Sequence, residues 1–234
     1  MSIVISGSSG GLGAEVIKIF SSKMKDEHLI LLGKTKSTLD PIFNSISSIH
    51  KGKIDCIACN VENQDEVSSS IAQINEITDN ISLLINLAGV LHYGSVTKQN
   101  EDIFDNTMNV NIKLPYLLSV GLFENIKGEG GGKIINIGST SSYSGYKNTV
   151  SYCTSKHALL GFSRALHDEW KDYGITVHCI SCGSLNTGMS DQLSSQDKTT
   201  YIDASEFAKL IYDVSCYKGN MVIEEVKAIR RHVR

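Results

Sequence analysis

Short apolar runs alternate with segments of helical periodicity along the chain. The apolar runs predict strands at Ile3–Ser6, His28–Leu32, Ile54–Cys59, Ser82–Asn86, Lys133–Gly138, Ile175–Ile180 and Met221–Val226. The early runs are nearly continuous in Ile, Val and Leu, which is typical of strands buried on both faces. Between them, apolar stripes at helical spacing include Val67, Ile71 and Ile74, and later Leu159, Phe162, Leu166 and Trp170. Repeated strand-then-helix units predict an α/β fold with a doubly wound parallel sheet of about seven strands and helices on both faces.

Length and composition narrow the class of protein. The chain has 234 residues, of which 41% are hydrophobic, and this suits one α/β domain with a sizeable core. A net charge of −3 and a pI of about 6.2 argue against a nucleic-acid binder. Because no segment has the length of a membrane span or the pattern of a signal peptide, we expect a cytoplasmic protein without a membrane partner.

Two long segments interrupt the regular pattern. A long helix is predicted over Glu101–Ile126, and Pro115 should kink it or mark a new start. The segment Thr187–Thr200 is polar and weakly patterned, so we expect a mobile loop there, of the kind that gates substrate sites. The basic end of the chain (Arg230, Arg231, His232 and Arg234) is interpreted as a solvated terminus.

Six cysteines include two Cys-x-x-Cys spacings, at Cys56/Cys59 and Cys179/Cys182. Four thiolates could in principle hold zinc. However, both pairs fall in predicted strands, where positions i and i+3 point to opposite faces of the sheet. Small buried thiols are therefore favoured, and no metal site is predicted.

A glycine-rich turn follows the first predicted strand and precedes a helix. It runs Ser6-Gly7-Ser8-Ser9-Gly10-Gly11-Leu12-Gly13. Glycines permit a tight turn and close approach of a pyrophosphate, which then lies at the helix N-terminus. Two spacings of a dinucleotide motif fit, one through Gly11 and one through Gly10, each with Gly7 and Gly13. The dinucleotide contacts predicted here are Ser6, Gly7, Ser9, Gly10, Gly11, Leu12 and Gly13.

The end of the second predicted strand bears on the choice of dinucleotide. An acidic residue there would hold the ribose 2′-hydroxyl of NAD. None follows Leu32-Gly33, and Lys34 and Lys36 stand there instead. Cations at this position suit a 2′-phosphate, so NADP(H) is favoured over NAD(H). The alternative is that both lysines are solvated loop charges.

Tyr152 and Lys156 stand four residues apart in a predicted helix, thirteen residues after Ser139. Positions i and i+4 share one face of a helix. A cation near a phenol favours the phenolate and lowers the phenol's pKa. The spacing therefore predicts that Lys156 adjusts Tyr152 to act as an acid or base near neutral pH.

Together these motifs resemble the short-chain dehydrogenase/reductase family along nearly the whole chain. The opening turn is similar to that family's TGxxxGxG motif, with Ser6 in place of Thr. The other matching segments are Asn86-Leu87-Ala88-Gly89 (NNAG), Asn109-Val110-Asn111, Ile135–Ser139, Tyr152–Lys156 (YxxxK), and Gly183 with Thr187 (PGxxxT). Three features depart from the family pattern: Asn60 replaces an Asp, Cys182 replaces the Pro before Gly183, and no glycine-rich ending is present.

The resemblance implies a Rossmann-type domain over residues 1–234 and a catalytic set of four residues. Tyr152 would donate a proton to a substrate oxygen, and Ser139 would hydrogen-bond that oxygen. Lys156 would lower the pKa of Tyr152 and bind the nicotinamide ribose, and Asn111 would hold a water that relays protons. Further implied cofactor contacts are Lys34, Asn60, Val61, Asn86, Ala88, Gly89, Tyr152, Lys156, Gly183, Leu185 and Thr187. By position, the substrate pocket would include His92, Tyr93, Tyr143, Tyr146, Leu185 and Met189.

The function expected is that of an NADP(H)-dependent carbonyl reductase or alcohol dehydrogenase. Its small-molecule substrate would be a 3-oxoacyl thioester, a small ketone or a polyol. Two alternatives are a sugar-nucleotide epimerase or dehydratase, which the Gly10 spacing permits, and a non-catalytic dinucleotide-binding regulator. The resemblance also implies a homodimer or homotetramer packed through the predicted helices Glu101–Ile126 and Ser151–Tyr173.

Overall fold

The computed structural model describes residues 1–128, 130–193 and 197–231, apart from the side chain of Gln64. Its strands are β1 (Ser2–Ser6), β2 (His28–Gly33), β3 (Ile54–Ala58), β4 (Ile81–Asn86), β5 (Lys133–Ser139), β6 (Thr176–Cys182) and β7 (Glu225–Ala228). Its α-helices are α1 (Gly11–Lys23), α2 (Lys36–Ile46), α3 (Gln64–Ile77), α4 (Glu101–Met108), α5 (Leu114–Gly121), α6 (Phe123–Lys127), α7 (Val150–Trp170) and α8 (Ala204–Cys216).

All seven strands pair in parallel in one sheet of order β3-β2-β1-β4-β5-β6-β7. The direction of strand succession reverses between β1 and β4, where Ser6 pairs with Asn86. In a sheet of this kind the crevice lies beyond the carboxyl ends of the strands at that reversal. The predicted doubly wound fold is confirmed.

Strands β1 to β6 supply apolar side chains to both faces of the sheet, whereas the edge strand β7 supplies them to one face only. Ile3 and Ile5 of β1 belong to one buried cluster with Phe20 of α1 and Phe207 of α8. Val4, between them, belongs to the opposite cluster with Leu118 and Trp170. Alternate side chains of a strand point to opposite faces, so a sheet covered by helices on both sides needs apolar residues in succession.

The predicted helix Glu101–Ile126 is divided. A five-residue π-helical turn, Asn109–Lys113, separates α4 from α5, and α6 follows as a short separate helix. Pro115 lies in the first turn of α5, directly after the π turn, and Lys113 and Leu114 before it keep helical backbone angles. Helical backbone therefore runs into Pro115 and does not start anew there, and the π turn was not anticipated.

The last strand also differs from its prediction. We predicted Met221–Val226, whereas β7 begins at Glu225 and ends at Ala228. The register with β6 decides this, because Cys179 pairs with Glu225 and Cys182 pairs with Ala228. The apolar run at Met221 and Val222 precedes the ladder and is exposed.

The remaining structural expectations concern cysteines and membranes. All six cysteines are free thiols, and within the described ranges no group of three or more His, Cys, Asp or Glu side chains could hold a metal. Among the helices described, none combines the length and apolar character that crossing a bilayer requires.

Candidate active site

The glycine turn between β1 and α1 packs backbone against backbone. Gly7 has a φ of +71°, and a Cβ placed there would lie 2.5 Å from the Ala88 nitrogen. A Cβ on Gly13 would lie 2.3 Å from the Gly7 carbonyl oxygen. Both positions therefore require glycine, one because of φ and contact and the other because of contact alone.

The structure distinguishes the two possible glycine spacings. A Cβ on Gly10 would remain 3.4 Å from the Gly7 oxygen, in ordinary contact. A Cβ on Gly11 would lie 3.1 Å from Thr187 Cβ and Cγ2. Gly11, and not Gly10, is thus packed tightly against the Thr187 segment, and this favours the Gly7/Gly11/Gly13 spacing.

A cleft of about 960 Å³ lies beyond the carboxyl ends of the central strands. Its lining includes these predicted cofactor contacts: Ser6, Gly7, Ser9, Gly10, Gly11, Leu12, Gly13, Lys34, Asn60, Val61, Ala88, Gly89, Tyr152, Lys156, Gly183, Leu185 and Thr187. Side chains at Gly7 and Gly13 would collide with the backbone that forms the cradle. The turn leads into the N-terminus of α1, whose free N–H groups suit phosphates. The residues present therefore fit a dinucleotide.

Asn86 is the predicted cofactor contact that does not line the cleft. Its amide is 2% exposed and donates to Asn136 Oδ1 at 2.8 Å. Asn136 in turn donates to Ser163 Oγ on α7 at 2.9 Å. This buried chain connects β4, β5 and α7 beneath the site, so Asn86 supports the site from below.

Three of the four predicted catalytic side chains meet in the cleft. Ser139 is the last residue of β5, and Tyr152 and Lys156 share a face of α7. The Ser139 side chain lies close enough to the Tyr152 phenol to lower its pKa. The Lys156 ammonium donates to the Ile137 carbonyl at 2.8 Å and lies 5.7 Å from the centre of the Tyr152 ring.

Burial controls the ionisation of this cluster. It raises the pKa of Tyr152 above its ordinary value of 10.0, although the Ser139 hydrogen bond opposes the shift. Burial also lowers the pKa of Lys156 from 10.5 to about 8. The expectation that Lys156 lowers the Tyr152 pKa towards neutrality is wrong for this structure, because desolvation disfavours both charged forms.

Asn111 is fully buried within the π turn and does not line the cleft. Its Oδ1 accepts from the Val90 N–H at 2.8 Å, while its Nδ2 donates to the Val90 carbonyl at 3.0 Å and to Ser155 Oγ at 2.9 Å. A Cβ on Gly89 would lie 3.5 Å from Asn111 Oδ1 and 3.7 Å from Lys156 Nζ. Asn111 and the Lys156 ammonium therefore both lie next to Gly89, and Asn111 ties the segment after β4 to α7.

At the far end of the cleft, Lys34 forms an ion pair that the sequence did not indicate. Its ammonium lies 2.9 Å from both carboxylate oxygens of Glu62. The Glu62 backbone N–H donates to Asn60 Oδ1 at 3.2 Å. Because Glu62 follows β3 rather than β2, inspection of the second strand end could not reveal it.

At the opposite end, four of the six predicted pocket residues line the cleft: Tyr93, Tyr146, Leu185 and Met189. The other two do not. His92 Nε2 lies 3.4 Å from the Asn106 amide, and the Tyr143 hydroxyl donates to Glu225 at 2.8 Å. Sequence analysis did not anticipate Ile229 and interpreted Arg230 as part of a solvated terminus, which is wrong, because both residues line this end of the cleft after β7. Arg231 is exposed, and His232 and Arg234 lie outside the described residues.

Gln192 connects the segment after Thr187 to the loop that follows β4. Gln192 Nε2 donates to the Leu91 carbonyl at 2.8 Å, and its Oε1 accepts from the Tyr93 N–H at 3.3 Å. Residues 194–196 of the predicted loop lie outside the described residues.

Comparisons with known proteins agree with this geometry. Residues 1–198 match the sequence model of the family described as short chain dehydrogenase. The chain is 27% identical over 195 residues to 3-oxoacyl-[acyl-carrier-protein] reductase from Rickettsia bellii, covering 83% of this chain and 77% of that protein. It is also 27% identical over 178 residues to NAD-dependent glycerol dehydrogenase from Listeria innocua, covering 76% and 68%.

Among solved structures, a metagenomic short-chain oxidoreductase in complex with NADP has a TM-score of 0.85 at 21% identity, covering 99% of this chain and 98% of that chain. Levodione reductase has a TM-score of 0.85 at 19% identity, covering 97% and 95%. At such identities the structural likeness shows the fold, and the family match carries the assignment. The chain belongs to the short-chain dehydrogenase/reductase family and is an oxidoreductase that acts on CH–OH or C=O groups with NAD(P).

Proposed function

We propose that the protein is an NADP(H)-dependent carbonyl reductase or alcohol dehydrogenase in which Tyr152 is the acid and base. The observation that carries this proposal is that Tyr152 and Ser139 line the same cleft as the glycine turn, with the Ser139 side chain close enough to the phenol to influence its pKa. The Lys156 ammonium lies beside them. This arrangement supports the proposal that Tyr152 is a proton donor and Ser139 an oxygen-binding hydroxyl beside a dinucleotide that extends from the cradle.

The nicotinamide, when bound, supplies or accepts the hydride. As negative charge develops on the substrate oxygen, Ser139 stabilises it by donating a hydrogen bond. Tyr152 then transfers its proton to that oxygen. The raised pKa of Tyr152 keeps the phenol protonated at neutral pH, but it also makes the phenol a weaker acid, so proton transfer depends on the negative charge that develops on the substrate oxygen.

Lys156 has two proposed tasks. Its bond to the Ile137 carbonyl fixes the ammonium at the edge of the cleft, where it can hydrogen-bond the nicotinamide ribose. In the oxidative direction, its charge would stabilise the phenolate that must accept a proton. Asn111 would act as a positioning residue, because its amide ties the Val90 backbone to Ser155, the residue before Lys156.

We further propose a preference for NADP(H) over NAD(H). No acidic residue follows β2, and Lys34 lines the adenosine end of the cleft. Glu62 holds Lys34 in place but also neutralises it. We therefore expect Glu62→Gln to raise the ratio of NADPH to NADH affinity and Lys34→Gln to lower it, measured by fluorescence titration of both cofactors.

The proposed substrates are 3-oxoacyl thioesters, small ketones or polyols. Relatives named as a 3-oxoacyl reductase and a glycerol dehydrogenase support these classes. We also propose that the chain forms a single domain and acts as a cytoplasmic homodimer or homotetramer. Residues 187–193 and 197–200 would border substrate entry.

The test combines cofactor binding and turnover. NADPH oxidation is followed at about 340 nm, the absorbance of the reduced cofactor, with a panel of ketones, 3-oxoacyl thioesters and sugars. Tyr152→Phe should abolish turnover and leave NADPH affinity nearly unchanged, and Tyr173→Phe, an exposed site, should change neither. Undiminished turnover by Tyr152→Phe, or no turnover of any carbonyl or alcohol by a wild-type protein that binds NADPH, would refute the proposal.

A further inference from the structure

We propose that the substrate end of the cleft binds an anionic group, a carboxylate or a phosphate, through the guanidinium of Arg230. This inference rests on the function proposed above and adds a substrate class to it. The substrate would carry its charged group on the side of the carbonyl that faces the end of β7.

The fold brings Arg230 to the reacting end of the cleft. β7 ends at Ala228, whose carbonyl accepts from the Gly183 N–H at 2.9 Å. A Cβ on Gly183 would lie only 3.4 Å from Arg230 Cγ. Gly183 directly follows β6, which pairs with β5 so that Cys182 stands beside Ser139. Arg230 and the proposed catalytic serine thus lie at the same edge of the sheet, beyond β7 and at the end of β5, with only β6 between the two strands.

The guanidinium is oriented but largely unused. Arg230 Nη1 donates to Thr200 Oγ1 at 3.2 Å, and the guanidinium carbon lies 5.7 Å from the centre of the Tyr201 ring. These contacts fix the plane of the group. Of its five N–H donors, that one alone has a hydrogen-bond partner among the described residues. A fork of free donors suits a carboxylate or phosphate.

No carboxylate in the described part of the chain forms an ion pair with Arg230. Asp197 is influenced by it, because hydrogen bonds from Thr199 and, further, the Arg230 charge lower the pKa of Asp197. The carboxylate of Asp197 is engaged by the Thr199 N–H and hydroxyl at 2.9 and 2.7 Å. Within residues 1–128, 130–193 and 197–231, the Arg230 charge therefore has no ion-pair partner.

The charges that line the cleft are unevenly distributed. Glu62 is the sole carboxylate among the described lining residues, and it is paired with Lys34 at the adenosine end. Towards the substrate end the lining carries Lys147, Lys156 and Arg230 without an acid. A cleft of this sign attracts anionic substrates. Lys156 already has a proposed role with the nicotinamide ribose, whereas the guanidinium of Arg230, oriented by Thr200 and Tyr201, has none.

A purely structural role for Arg230 predicts a different outcome, since its bond to Thr200 could serve only to hold the 197–201 segment. Thr200→Val removes that bond and leaves the guanidinium in place. If Arg230 acts on the substrate, Thr200→Val should retain the selectivity that Arg230→Gln loses. If Arg230 acts on the loop alone, both variants should lose turnover of charged and neutral substrates alike.

The experiment uses two matched pairs of carbonyl compounds with NADPH: acetoacetate with ethyl acetoacetate, and dihydroxyacetone phosphate with dihydroxyacetone. We expect the wild-type protein to favour the charged member of at least one pair, and the favoured pair distinguishes carboxylate from phosphate. Arg230→Gln should lower kcat/KM for that charged substrate by about 10- to 100-fold, the loss of a hydrogen bond to a charged group. Turnover of its neutral partner and the KM for NADPH should stay unchanged.

Arg231→Gln is the matched control, because Arg231 is exposed and outside the cleft lining. This variant should behave as wild type.

The inference is overturned if the neutral partners are reduced as well as the charged ones, or if Arg230→Gln changes the KM for NADPH rather than the selectivity for charged substrates. In either case the reductase function stands. If nothing is reduced, the proposed function fails. In that case the binding of acetoacetate and of dihydroxyacetone phosphate to the NADPH-saturated protein is measured by calorimetry. Binding by the wild-type protein that Arg230→Gln abolishes would support the anion site. Equal binding by both proteins, or no binding by the wild-type protein, would overturn it.

Discussion

Replacing Gly13 by alanine should test whether close packing requires glycine at this position, because the helix propensity of alanine alone would favour the substitution. Gly13 lies in the first turn of α1, and its φ is outside the left-handed region. By propensity alone, alanine in a helix is favoured over glycine by about 1 kcal/mol. The contact with the Gly7 carbonyl acts in the opposite direction.

The magnitude follows from the available space. An alanine Cβ at position 13 would lie 2.3 Å from the Gly7 oxygen and 2.9 Å from the Ser8 oxygen, both of which are backbone atoms. Relief requires the turn itself to move, and overpacking of this kind costs about 1–3 kcal/mol or more. Because Gly7 also packs against Ala88, the displacement would distort the cradle. We therefore expect a loss of about 1–3 kcal/mol in the free energy of unfolding and a rise of about 100-fold in the Kd for NADPH.

Gly10→Ala is the matched control in the same turn. Its Cβ would lie 3.4 Å from the Gly7 oxygen, and its extended φ of −76° accepts any residue. Alanine is a poor N-cap, so a cost of up to about 1 kcal/mol is expected in stability, with an NADPH Kd within about threefold of wild type. Urea unfolding and fluorescence titration with NADPH measure both quantities.

The steric argument fails if Gly13→Ala binds NADPH as tightly as Gly10→Ala. It also fails if the two variants are equally stable, since the same methyl group is added in both cases. Equal loss in both would mean that any side chain in the turn blocks the phosphates, whatever its contacts with the protein.

Three further predictions follow from other contacts. Lys156→Met should abolish turnover yet raise the free energy of unfolding at pH 7 by up to about 3 kcal/mol. The reason is that desolvation lowers the Lys156 pKa from 10.5 to about 8, which destabilises the folded state below pH 8 and has no effect above pH 10.5. Equal stability of the two proteins at pH 7 would contradict this. Asp55→Asn should lower the free energy of unfolding at pH 7 by about 1 kcal/mol. Burial raises the Asp55 pKa, but hydrogen bonds from Lys53 and His28 outweigh it and lower the pKa below 3.8. The urea midpoints of wild type and variant should therefore converge as the pH falls below 3.8, and a pH-independent difference would contradict this. Gln192→Ala removes the hydrogen bonds that connect the segment after Thr187 to Leu91 and Tyr93. The KM for the carbonyl substrate should therefore rise several-fold, while the free energy of unfolding in urea changes by less than about 1 kcal/mol. An unchanged KM would count against this role of Gln192.

The sequence by itself determined those features that depend on local pattern and spacing. Continuous apolar runs such as Ile3–Ile5 require burial on both faces, and this specifies a parallel sheet covered by helices. The four-residue spacing of Tyr152 and Lys156 fixes their common helix face, and the strand end at Ser139 brings a hydroxyl to the same edge. The glycine turn indicated a dinucleotide cradle because strand, turn and helix follow each other in order.

The tertiary structure decided what depends on contacts between distant segments. Whether glycine is required at Gly10 or Gly11 depends on Thr187, which lies far along the chain. The ionisation of Tyr152 depends on burial, and spacing to Lys156 could not reveal how strongly desolvation opposes the cation. The pairing of Glu62 with Lys34 and the return of Arg230 to the cleft arise from strand order. The pattern of residues along a chain indicates which face of a helix or strand a side chain occupies. The ion-pair partners of that side chain and its burial depend on segments distant in sequence that pack against it in the fold.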